Sequence, residues 1–123
     1  SVECADGVHI GNQCLYFSKE SLSWNDAKTA CHAKQARLAI LKDQPDTVAK
    51  YAKANYSAFW LGGSDAANEG NWKWLDGQPF DDQFPWSSGQ PNSFGGDQDC
   101  LLVHSAGFDD RNCPDKWGYI CEL

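Results

Sequence analysis

Six cysteines in 123 residues, Cys4, Cys14, Cys31, Cys100, Cys113 and Cys121, constrain the fold of this chain more than any other feature. No two of them stand as Cys-x-x-Cys, which argues against a zinc site or a dithiol redox motif. In so short a chain they read as three disulfides, which persist only in an oxidising compartment. Sequence alone leaves fifteen pairings open. The expectation is a secreted, extracellular protein. No apolar run approaches the roughly 18 residues needed to span a bilayer, so no membrane insertion is expected. No basic-then-apolar leader precedes Ser1, and the expected form is a mature one from which a signal peptide has been removed. A chain of this length reads as one domain, residues 1–123, with one core.

The net charge is −7, and its distribution is uneven. Seven of the ten Lys and Arg lie from Lys19 to Lys53, whereas Asp76 to Asp115 holds eight Asp against one basic residue, Arg111. A cation is a natural partner for that half, and a solvated acidic face is the plain alternative. Nucleic acid is excluded as a partner, because phosphate binding needs clustered Lys or Arg on one surface.

Ser21 or Ser23 can cap a helix from Trp24 to Lys34, with Trp24, Ala27, Ala30 and Cys31 on one stripe at helical spacing. A second helix follows Asp43 and Pro45, with Val48, Tyr51 and Ala52 facing inward. Strands are expected over Cys14 to Ser18, Ala58 to Gly62, Leu101 to His104 and Trp117 to Glu122. Between Ser64 and Gln98 the chain is rich in Gly, Pro, Asn, Asp and Trp, with no sustained period. A stretch of that length inside a compact domain is usually functional or held by something else.

The cysteine order, "FWLGGSD" at Phe59 to Asp65, "WKWLDG" at Trp72 to Gly77 and the triplet Gln90-Pro91-Asn92 together resemble the C-type lectin domain over essentially the whole chain. The resemblance implies an α+β fold of two helices and two small antiparallel sheets, with a long loop region ordered by calcium. It also implies the pairings Cys4 with Cys14, Cys31 with Cys121, and Cys100 with Cys113.

Ca²⁺ takes about 6 to 8 oxygen ligands, and the segment from Gln90 to Asp99 is rich in such oxygens. By resemblance the sugar-site calcium is held by Gln90 and Asn92 on either side of a cis Pro91, by Gln98, and by Asp109 and Asp110 just before Cys113. An auxiliary calcium would use Asp65, Glu69 and Asp99, with Ser93 standing where the family carries a fourth acid. In the family two adjacent sugar hydroxyls coordinate the ion and exchange hydrogen bonds with its ligands, here Gln90, Asn92, Gln98 and Asp109.

The site departs from the family pattern at three places. The common triplets are Glu-Pro-Asn for mannose-type and Gln-Pro-Asp for galactose-type sugars; Gln90-Pro91-Asn92 is neither. Gln98 replaces a usual Glu and Asp109 a usual Asn, so one carboxylate is lost and one gained around the same ion. Gln and Asn both donate and accept, whereas ionised Asp only accepts, which reverses the polarity at the second hydroxyl relative to the mannose arrangement. Phe94, two residues after the triplet, matches an aromatic that floors the sugar in galactose-binding members; anchoring the loop is its structural alternative. Trp86 is a second candidate wall, more simply a packing residue. Terminal galactose or N-acetylgalactosamine is the expected ligand class, with mannose or fucose as the alternative, and a non-sugar role toward protein, ice or mineral as the remaining one.

No catalytic constellation is legible: all cysteines are assigned to disulfides and no nucleophile-elbow serine occurs. His9, His32 and His104 show no zinc-type spacing. Asn55-Tyr56-Ser57 is a glycosylation sequon. The expected partners are glycans on cell or microbial surfaces. A single domain binds one sugar weakly, so avidity would come from a homo-oligomer, non-covalent because no cysteine is spare.

Overall fold

The first helix begins where a hydroxyl replaces a missing backbone partner. Ser23, in extended conformation, accepts a hydrogen bond from Asp26 N at 3.3 Å and caps α1 (Trp24–Ala33). The computed structural model describes residues 7–10, 13–41, 45–54, 57–65, 71–80, 84, 86, 100–105 and 107–123. Helix α1 stops one residue short of the expected end. Lys34 is its C-cap, and Gln35 takes a left-handed φ of 59°, which lets Ala36 N donate back to Cys31 O. The second helix, α2 (Pro45–Ala54), opens on Pro45, a position whose missing N–H would have had no intrahelical partner.

Among the described residues there are eight strands: β1 (Val8–Ile10), β2 (Gln13–Phe17), β3 (Arg37–Leu38), β4 (Phe59–Ser64), β5 (Lys73–Trp74), β6 (Cys100–His104), β7 (Gly107–Arg111) and β8 (Gly118–Glu122). The order is β1-β2-β8-β4-β6-β7, with β3 on β8 and β5 on β4. The two expected antiparallel groups, β1-β2-β8-β3 and β5-β4-β6-β7, are both present and are joined by a parallel pairing of β4 with β8.

Strand alternation divides the core between the helices. Leu61, Leu101, Val103 and Ile120 pack with Val48 and Ala52 of α2, whereas Trp60, Leu102, Tyr119 and Cys121 pack with Trp24, Ala27 and Cys31 of α1. The indole N–H groups of both central tryptophans are satisfied: Trp24 Nε1 donates to Leu61 O and Trp60 Nε1 to Leu22 O, each at 2.9 Å. Disulfides Cys31–Cys121 and Cys100–Cys113 are formed as expected. Cys14 is disulfide-bonded, and Cys4 lies outside the described residues.

Tyr119 fastens the chain before α1 to β8. Its hydroxyl donates to Glu20 Oε1 at 2.6 Å, and its N–H donates to Ser18 Oγ at 2.9 Å. Burial first, and then the Glu20 carboxylate, pushes the phenol well above the ordinary tyrosine value. Because the folded pKa is raised, this contribution to stability is complete below about pH 10 and is lost as the pH climbs past the ordinary tyrosine value. Tyr119→Phe is expected to lower the unfolding free energy by about 1 to 2 kcal/mol at neutral pH, a charge-assisted bond being lost. A urea midpoint equal to that of the unsubstituted protein would show that the bond adds nothing.

Part of the chain between β4 and β6 is held by rings. Trp74 stacks on Phe80 at 4.2 Å, Trp72 meets Trp86 at 5.0 Å, and Phe84 reaches Phe108 of β7 at 4.8 Å. Trp86 therefore belongs to this packed cluster. Gly63 makes room for it: a Cβ there would lie 2.5 Å from Phe80 Cζ, so any other residue would force the ring off β4.

Candidate functional site

The sheet register decides which candidate ligands lie together. Ser64 of β4 pairs with Cys100 of β6, and Cys100 pairs with Arg111 of β7. Asp65, immediately after Ser64, and Asp110, immediately before Arg111, therefore lie near one end of three adjacent strands, and Asp109, opposite Leu102, lies one residue further in at the middle of β7. After Asp65 the chain returns to pair with β4 as β5, and it re-enters the sheet as β6 at Cys100.

Within β7, alternation gives Asp109 and Asp110 different neighbours. Asp110 is opposite Leu101, on the side of Phe108, and is fully buried. Asp109 is opposite Leu102, on the side of Arg111, and is 6% exposed. Asp65 is buried as well, at 1%. Burying carboxylates costs several kcal/mol unless charge or hydrogen bonds compensate, and for Asp109 the compensating groups are in view.

The surroundings of Asp109 are one-sided. Arg111 Nε donates to its Oδ2 at 2.8 Å, Arg111 Nη2 lies 2.8 Å from the same oxygen, and His104 Nε2 is 3.2 Å away. The other oxygen, Oδ1, is buried with no hydrogen-bond partner among the described residues, as is Asn112 Oδ1. Buried acceptors are rarely left so. Hard oxygens offered no donor suit a hard cation such as Ca²⁺.

The candidates divide sharply. Asp65 and Asp110 lie near one end of the sheet and Asp109 one residue further in, but among the described residues no group of three or more His, Cys, Asp or Glu is placed to hold a metal ion. Any site must therefore be completed from elsewhere. Gln90, Asn92, Gln98, Glu69, Asp99, Phe94 and the sequon Asn55 lie outside the described residues. His104 and Arg111 were not foreseen as part of the site. Their signal, polar residues alternating on one face of a β-hairpin, becomes readable only once β7 is known to be a strand.

Residues 20–123 match the family model described as the lectin C-type domain. The chain belongs to the C-type lectin family. Among curated relatives, mouse CD209 antigen-like protein A is 34% identical over 120 residues, 95% of this chain and 50% of that protein. The chain thus spans about half the length of such relatives. The human scavenger receptor C-type lectin carbohydrate-recognition domain superposes with a TM-score of 0.87 at 28% identity, covering 100% of this chain and 98% of the other. The cow CD23 C-type carbohydrate-recognition domain, determined in the presence of a GlcNAc2Man3 oligosaccharide, superposes with a TM-score of 0.85 at 27% identity and covers 97% and 93%. C-type lectin domains are carbohydrate-recognition domains and are generally calcium-dependent. Among the described residues no helix is long and apolar enough to cross a membrane.

Proposed function

We propose that this C-type lectin domain acts outside the cell as a calcium-dependent receptor for glycans ending in galactose or N-acetylgalactosamine, and catalyses nothing. The observation that carries the calcium reading is the pair of buried acids on β7, with Asp109 Oδ1 left without a partner among the described residues. Asp109 and Asp110 would hold the ion from the sheet, and Gln90, Asn92 and Gln98 from the loop. Asp65, Glu69 and Asp99 would form the auxiliary site. The ion, when bound, supplies a positive centre that two neighbouring sugar hydroxyls can share as ligands.

The protein side chains set the orientation of the sugar. Asp109 can only accept, so it accepts a hydrogen bond from a hydroxyl; Gln98, through its NH₂, donates one. Gln90 and Asn92 can do either. Phe94 would cover the apolar C–H face of galactose, which rings do well because they combine area with fixed shape. The disulfides support an extracellular setting.

Mannose-type binding is the second reading, favoured by the likeness to the cow CD23 domain with its mannose-containing oligosaccharide. A glycan array separates the two. Galactose-terminated glycans are expected to lead, with Phe94→Ala lowering their signal more than that of mannose. Mannose or fucose glycans leading on the array would replace the galactose assignment.

A further inference from the structure

We infer that Arg111 is a positioning residue that converts Asp109 into a one-oxygen, charge-neutralised ligand, so that Asp109 and Arg111 act as a unit; this rests on the calcium reading above. Three observations carry it. First, the nitrogens from Arg111 and His104 all converge on Oδ2 and none on Oδ1. A free carboxylate can chelate a cation through both oxygens, but here one is already occupied, leaving Oδ1 for the cation. Second, the ion pair is shielded, Asp109 having a side-chain exposure of 8% and Arg111 one of 35%, so its geometry is not that of two solvated surface charges. Third, Arg111 is the only Lys or Arg between Asp76 and Asp115, and it stands two residues after Asp109 on the same face of β7. The charge that Asp109 adds is thus cancelled beside it.

The consequence is that the neutral side chain Asn is not a harmless replacement at 109. With Asp109→Asn, the Arg111 guanidinium loses its counter-charge while facing the bound cation. The amide must also either turn its oxygen to Arg111 and its NH₂ to the cation, or the reverse. Both arrangements are poor. Without Arg111 the amide is free to turn its oxygen outward.

The test is a double-mutant cycle read by calorimetric titration of Ca²⁺ into the unsubstituted protein, Asp109→Asn, Arg111→Ala and the double variant. Asp109→Asn is expected to weaken calcium binding at least about tenfold when Arg111 is present and less than about threefold when it is absent. Thermal midpoints in EDTA report the fold of each variant, and Arg111→Gln takes the place of Arg111→Ala if the latter does not fold. A pair that served only to stabilise the fold would move the EDTA midpoints and give equal calcium losses in both backgrounds; equal losses overturn the inference alone. No calcium heat from the unsubstituted, folded protein would overturn both the calcium reading and the inference.

Discussion

Asp110→Asn is expected to weaken calcium binding at least about 100-fold and to abolish calcium-dependent retention on sugar, while leaving the protein folded in EDTA. Substituting residues that only orient a metal's ligands costs roughly 10- to 100-fold in affinity, and Asp110 is proposed to touch the ion itself. The formal charge of the proposed sugar-site ligand set is minus two, from Asp109 and Asp110, the other three being amides; with Arg111 offsetting Asp109, most of the remaining negative charge resides on Asp110. The substitution keeps the shape of a fully buried side chain, removes its charge and exchanges one acceptor oxygen for an NH₂. Calcium titration with a thermal midpoint in EDTA checks both halves. A variant that binds calcium as the unsubstituted protein does would place the ion elsewhere, and one that fails to fold in EDTA would make Asp110 a structural residue.

The second large effect is on stability. Replacing Cys31 and Cys121 together by alanine is expected to cost about 4 to 5 kcal/mol, because the bridge closes a loop with a sequence separation of 90 and so removes much entropy from the unfolded chain. Domains of this size are stable by only about 5 to 15 kcal/mol, so the loss should remove roughly a third or more of the total and lower the urea midpoint accordingly. The Cys100–Cys113 bridge has a separation of 13 and should contribute about 3 kcal/mol. It brackets β6 and β7, and its loss should therefore fall more on calcium affinity than on the urea midpoint. The order of the two midpoints decides: if loss of the short bridge lowers the midpoint as much as loss of the long one, loop closure is not what the long bridge contributes.

Where the chain carries strong local signals, its fold can be read from the residues themselves. Ser23 caps α1 and Pro45 opens α2 for reasons visible one residue at a time, and Val48 and Ala52 are buried as their spacing requires. Strand β7 was missed because Gly107, Asp109 and Asp110 all disfavour strands locally; its pairing with β6 and the packing of Phe108 override that preference. The short strands β1, β3 and β5 carry too few residues to show a period. At the site, Asp109 and Asp110 are proposed as ligands from their place before Cys113, as the resemblance implies. The ion pair of Asp109 with Arg111 was not legible, since only a strand brings residues two apart onto one face. Trp86 illustrates the same limit: its role depends on Trp72 and Phe84, which tertiary packing brings to it.

The most direct test of the central claim is retention on immobilised galactose with calcium present, followed by EDTA. Retention in calcium and release by EDTA are expected, with binding restored when calcium is returned. Retention unchanged by EDTA would contradict it.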